Sequence, residues 1–172
     1  DLGDEISDGK SVIYAVYVAP SADNRNRTLS QVAHSIFTSM HKEGLFLTVF
    51  CRLRALSGLL DDVIDETITE NNYEETIAND AWLCDKGIDV SAVNSFVSKE
   101  LVKAGLVDED VSLFSGTYSR FTEALSINPS EFFWKREGLF FLFEKVEKLL
   151  KAAMFTNCII LLDEAEKMIQ YQ

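Results

Sequence analysis

The sequence predicts a mostly α-helical, compact single domain of about six to eight helices, with a short β-strand in an extended N-terminal arm. Three observations carry that expectation. Only two Pro and eight Gly punctuate the 172 residues, so long stretches are free of helix breakers and a turn-rich all-β sandwich or barrel is disfavoured. From residue 28 onward, apolar residues recur at spacings of three and four, the period of a helix with one buried face. An apolar fraction of 47% with twelve Phe supplies a core bulky enough to offset backbone ordering, which excludes a disordered chain. The length suits one domain that buries most of its unfolded surface without staples.

The first ten residues, acidic and Gly-spaced, read as a loose arm. Ser11 to Val18 is dense in β-branched and aromatic residues and stops at Pro20, the signature of a strand. A single strand cannot satisfy its own backbone groups, so it must pair with a weak local strand or with a partner chain. Residues 1–27 are therefore assigned to an arm with one strand and residues 28–172 to an all-α domain. Within the latter, Val32, Ile36, Phe37 and Met40 form one helical face that ends at Gly44. Leu45, Val49, Leu53, Leu56 and Leu60 continue at helical spacing, widened by Phe46 and Phe50, in a helix expected to run into acidic residues and fray near Asn71.

A shorter helix is expected from Glu74 to Cys84, with Ile77, Ala81 and Trp82 inward and Gly87 at its end. Ser91 is positioned to cap a helix bearing Val93, Val97 and Leu101, ended by Gly105. Asp108 opens another, with Val111, Phe114, Tyr118, Phe121 and Leu125. Asn128-Pro129-Ser130-Glu131 matches a capping pattern. The helix it starts carries Phe132, Phe133, Leu139, Phe140, Phe143, Val146 and Leu150, with Gly138 as a candidate break. A last helix is expected from Asn157, with Ile160, Leu161, Ala165 and Met168 inward.

Several function classes are disfavoured. A net charge of −12 and a pI near 4.5 oppose direct binding to nucleic acid or anionic membranes, which draws on Lys and Arg near phosphate. No apolar run approaches the roughly 18 residues of a membrane span, so a soluble protein is expected. Cys51, Cys84 and Cys158 are far apart, odd in number and without zinc spacing; they read as buried free thiols of a reducing compartment, the cytoplasm. His34 and His41 lie seven apart, too far to share one metal on a single helix. Ser57-Gly58 and Ser115-Gly116 lack the strand-turn-helix setting of a nucleophile elbow. Gly9-Lys10-Ser11 precedes a strand instead of following one, so it is no phosphate loop. No catalytic residue and no cofactor is expected.

Charge is concentrated. Between Asp61 and Asp89 ten carboxylates face the single cation Lys86, which is −9 of the total −12. The segment opens with Asp61-Asp62-Val63-Ile64-Asp65-Glu66. Positions i, i+1 and i+4 on a helix place two carboxylates on one face, and a hard cation prefers oxygen ligands. This cluster resembles the DDxxD motif of isoprenoid synthases, whose carboxylates hold magnesium ions bridging a substrate diphosphate. The resemblance implies a magnesium-dependent enzyme acting on phosphorylated substrates, with Asp61, Asp62 and Asp65 as ligands. It spans only Asp61 to Glu66, and neither Asp108-Glu109-Asp110 nor Asp163-Glu164 matches the family's second acidic motif.

Two other readings compete. The acids are a solvated helix end, set either against the macrodipole or, if the preceding helix stops early, in the first turn of the next, where they are favoured. Alternatively they form a recognition face, with Glu70, Glu74 and Glu75 steering a basic partner or standing in for DNA phosphates. Aromatic residues from Phe132 to Phe143 supply a second feature, read either as a buried central helix or as a patch in which Trp134, Lys135 and Arg136 contact a partner. The function expected is a non-enzymatic helical protein-protein interaction module, a subunit or adaptor of a larger assembly with an acidic recognition face. Its binding residues would be Glu70, Glu74, Glu75, Trp134, Lys135 and Arg136. The strand before Pro20 suits addition to another chain's sheet. An acidic inhibitor or nucleic-acid mimic and the magnesium-dependent enzyme are the rivals.

Overall fold

Hydrophobic periodicity decides most of the fold, and strand pairing decides the rest. A computed structural model describes residues 12–18, 29–69, 71–108, 118–125 and 136–163. Among these the chain is mostly helical, with eight helices and two strands around one hydrophobic core. The β-branched run forms β1, Ile13–Val18, whose alternation buries Tyr14, Val16 and Val18 and exposes Ile13 and Tyr17.

Its partner overturns one expectation. Residues predicted to begin the last helix form instead β2, Asn157–Leu162, paired parallel with β1 in the register Ile13 to Asn157 through Val18 to Leu162. A six-residue apolar run fits either period; two adjacent Ile and a waiting strand settle it. Thr156 N donates to Val12 O at 2.9 Å and Asp163 N to Val18 O at 3.0 Å. The strand assigned to an arm thus contributes three side chains to the common core.

Between the strands the helices follow in order. Helix α1, Leu29–Lys42, packs against β1 with Ala33, Phe37 and Met40 buried. At Gly44, φ is 80°, a left-handed turn that glycine makes without steric cost. Helix α2, Leu45–Ala55, then crosses the centre with nine of its eleven residues buried. It stops there rather than running into the acids, because Gly58, also left-handed with φ 71°, turns the chain. Helix α3, Asp61–Thr67, begins anew with Asp61 and Asp62 in its first turn, the placement the macrodipole favours.

The helix expected from Glu74 to Cys84 is two: α4, Tyr73–Ile77, and α5, Asp80–Asp85. Asn79 interrupts them because its side chain accepts hydrogen bonds from the backbone N–H of Ala81 and Trp82, capping α5. Ile77 and Leu83 face the core, while Ala81 is exposed. Helix α6, Val90–Lys103, is capped by Asp89, not by Ser91: Asp89 Oδ1 accepts from Ala92 N at 3.1 Å.

Helix α7, Tyr118–Leu125, is fastened to α2 by Phe121 against Phe50, ring centroids 5.0 Å apart. Burying each such side chain contributes about 1.5–3 kcal/mol. Helix α8, Arg136–Ala152, passes through Gly138 without a break and buries Leu142, Val146, Leu149 and Leu150. The Asn128 cap and most of the helix expected from Asp108 lie outside the described residues. Of the three free thiols only Cys51 is buried; Cys84 and Cys158 are exposed, contrary to expectation. Among the described residues no helix is long and apolar enough to cross a membrane.

Candidate functional site

Two buried arginines on the central helix divide the molecule. Arg54, fully buried, faces the acidic side: its Nη1 donates to Ile77 O at 2.9 Å, and its Nη2 to Asp80 Oδ1 at 2.5 Å and Asn94 Oδ1 at 3.1 Å. Its guanidinium also lies over the Phe50 ring, 4.2 Å from the centroid. Arg52, two residues earlier, faces the strand side: Nε donates to Ala153 O at 2.5 Å and the guanidinium lies 4.8 Å from the Phe155 centroid. Arg52 pins the turn between α8 and β2; Arg54 pins α4, α5 and α6.

Acids that the sequence assigned to a recognition face are therefore partly consumed by the fold. Asp80 pairs with Arg54, and Asp89 caps α6. Glu74 is half-buried, accepts a hydrogen bond from the Thr48 hydroxyl, and its backbone carbonyl accepts from Cys51 Sγ at 3.4 Å. Burial, then the Glu74 charge, push the Cys51 thiol up to about 12, against a downward pull from Arg54. Burial likewise raises Tyr73 and Tyr118. Glu75 is exposed, as the recognition reading requires.

Asp61 and Asp62 are exposed. Among the described residues no three His, Cys, Asp or Glu side chains converge as metal ligands, and the Asp65 side chain lies outside the described part of α3. Glu70, Trp134 and Lys135 lie outside the described residues, and Arg136 begins α8.

The other side of the molecule carries what sequence reading missed. Nine large hydrophobic residues are exposed among the described residues, and all but Leu59 belong to β1, α8, β2 or the turn at Met154. On the sheet's outer face stand Ile13, Tyr17, Ile159 and Leu161; on α8 stand Phe140 and Phe141, 66% and 45% exposed. Phe140 thus leaves the core stripe on which periodicity placed it. Among the described residues of β1 and of 136–163 charge balances, Arg136, Lys145, Lys148 and Lys151 against Glu137, Glu144, Glu147 and Asp163, and neither strand holds an Asp, Glu, Lys or Arg. The signal was present in the uncharged run from Asn157 to Leu162, but helical phasing concealed it.

Beside β2 runs an open groove of about 380 Å³, floored by Met40, Phe143, Val146, Leu150, Phe155 and Ile160. Glu147, Lys151, Thr156, Asn157 and Cys158 form its rim. Lys151 Nζ bonds Glu147 Oε1 at 2.5 Å and holds that carboxyl below its usual range. Burial raises the Cys158 thiol. The rim ion pair is matched within the chain, and the groove presents an apolar floor. Comparison with protein-family models, with characterised proteins and with solved structures finds no match, so this geometry alone carries the functional reading.

Proposed function

We propose that the chain is a non-enzymatic interaction module, a subunit or adaptor that docks another protein through its neutral, apolar half. The observation that carries this reading is the row of exposed large hydrophobics on the sheet's outer face, Ile13, Tyr17, Ile159 and Leu161. Exposed apolar patches of that kind mark interaction sites, and a parallel sheet is ordinarily covered on both faces. The acidic half supports the module differently: Asp61, Asp62 and Glu75 remain exposed and steer encounter with a basic partner at long range. Co-purification from the source cell, with the partner identified by mass spectrometry, tests the reading. Leu161→Lys should abolish capture of the partner seen with the unaltered chain, while Glu75→Lys should slow association without abolishing it. Equal capture by Leu161→Lys would sink the proposal.

One observation favours a second reading. The strands are parallel, and Asp163 stands at the carboxyl end of β2, where it accepts a hydrogen bond from the Tyr17 hydroxyl. In open parallel sheets, ligands bind beyond the carboxyl ends of the strands, and a carboxylate there suits a magnesium ion bridging phosphate oxygens. This reading is separate from the magnesium site that the sequence suggests at Asp61, Asp62 and Asp65. Magnesium with a nucleoside triphosphate should then raise the melting temperature, and Asp163→Asn should remove the rise; no rise in the unaltered chain excludes this reading.

A further inference from the structure

Among the described residues the sheet has two strands, in the order β1, β2. The hydrogen bonds at either end set the phase of β2. Asn157 N points to Val12 O and Asp163 N to Val18 O. Alternation then turns the N–H and C=O groups of residues 157, 159 and 161 toward β1, and those of Cys158, Ile160 and Leu162 toward the opposite edge. The groove lies on that side: β2 residues line it and no β1 residue does. A further strand laid along this edge sits over Phe143, Val146 and Leu150.

Edge strands of monomeric proteins are protected by Lys, Pro, bulges or covering elements. Neither Pro nor any charged side chain stands in Asn157–Leu162. Its apolar run from Cys158 to Leu162 is the pattern of a strand covered on both faces, yet Ile159 and Leu161, on the outer face, are 41% and 54% exposed.

We propose that the free edge of β2 is a strand-addition site for an extended, uncharged segment of a partner protein, whose alternate apolar side chains fill the groove between β2 and α8. This rests on the docking reading above and names the partner's chemistry. The backbone selects a strand over a helix: the N–H and C=O groups of Cys158, Ile160 and Leu162 turn away from β1, and only an extended segment can continue that ladder. Charge selects an uncharged segment, because the rim pair of Glu147 and Lys151 is already matched and the floor is apolar. Charge also disfavours a second copy, because each chain carries a net −12.

Amide hydrogen exchange on the full chain, read by NMR, tests this with a synthetic octapeptide that alternates valine and threonine between terminal lysines. Millimolar peptide should slow the amides of Cys158, Ile160 and Leu162 by about tenfold, while those of Ile159 and Leu161, already bonded to β1, change little. Cys158→Lys, which puts a cation at the groove's rim, should weaken the peptide by about tenfold; Leu161→Lys, on the outer face, should leave it unchanged. Unaltered exchange in the three edge amides would overturn the proposal. So would slow exchange in the free protein at micromolar concentration, which would mean that this chain or a second copy already fills the edge. Loss of partner capture in Leu161→Lys without edge protection by peptide would retain the docking reading and remove the strand-addition site.

Discussion

The acidic half and the neutral half of this molecule are anchored to the same helix by arginines two residues apart, and they use their anchors in opposite ways. Arg54 neutralises a carboxylate and gathers three helices by bonds to Asp80, Asn94 and Ile77 O. Arg52 meets a backbone carbonyl and an aromatic ring, and holds the turn from which β2 departs. One side engages conspicuous acids in its own stability; the other pairs its charges along α8 and leaves apolar surface outward. Charge density along a sequence is therefore a poor guide to which charges a fold leaves free. A carboxylate has to be placed in space before it counts as free.

The contrast breaks most sharply at Arg54. Arg54→Met should destabilise the fold by about 3–5 kcal/mol in urea unfolding, because Asp80 loses its buried counter-ion. The double change Arg54→Met with Asp80→Leu should recover only the share due to the ion pair, because Ile77 O and Asn94 Oδ1 still lose their donor. If Arg54→Met unfolds like the unaltered chain, the acidic half is not held by this pair.

Alkaline stability comes next. Cys51 titrates near 12 in the fold and near 8.5 when unfolded. A group raised by folding stabilises fully below its unfolded pKa and loses that contribution as pH rises toward the folded value. Stability should fall as pH rises from about 9 toward 12, and Cys51→Ala should flatten the start of the decline. The raised Tyr73 and Tyr118 act in the same direction at higher pH.

Removing a cap is smaller still. Asp89→Ala should cost about 1 kcal/mol, measured as a shift in the urea midpoint, whereas Ser91→Ala should cost almost nothing. Smallest of all, Glu75→Lys and Leu161→Lys, both exposed, should each change stability by less than about 0.5 kcal/mol. They separate in binding: Glu75→Lys should reduce the salt dependence of the association rate, and Leu161→Lys should remove the complex. The comparison between halves fails if the two variants behave alike.

Much of the fold was legible because it is local. Gly44, Gly87 and Gly105 end helices as read, each with positive φ, and the inward residues of α6 and α7 follow their spacing. Errors cluster where two local signals were nearly balanced. Asn157–Leu162 fits a helix as well as a strand when read alone, and only pairing with β1 distinguishes them. Phe140 was read with the inward residues of α8, but the buried stripe is Leu142, Val146, Leu149 and Leu150, about half a turn away, and Phe140 stands outside it. Of the candidate site, exposed Glu75 was legible; the engagement of Glu74 with Thr48 was not, because the two lie 26 residues apart.

By itself the sequence determined the helical class, the apolar residues able to build a core, and the uneven distribution of charge, all properties of composition and of periods within a few turns. Tertiary structure decided which carboxylates are free, which cysteines are buried, and that two distant apolar runs form one parallel sheet. Those outcomes depend on contacts between residues far apart in the chain. Their entropy of closure is offset only when the whole core assembles, so no short stretch of sequence encodes them.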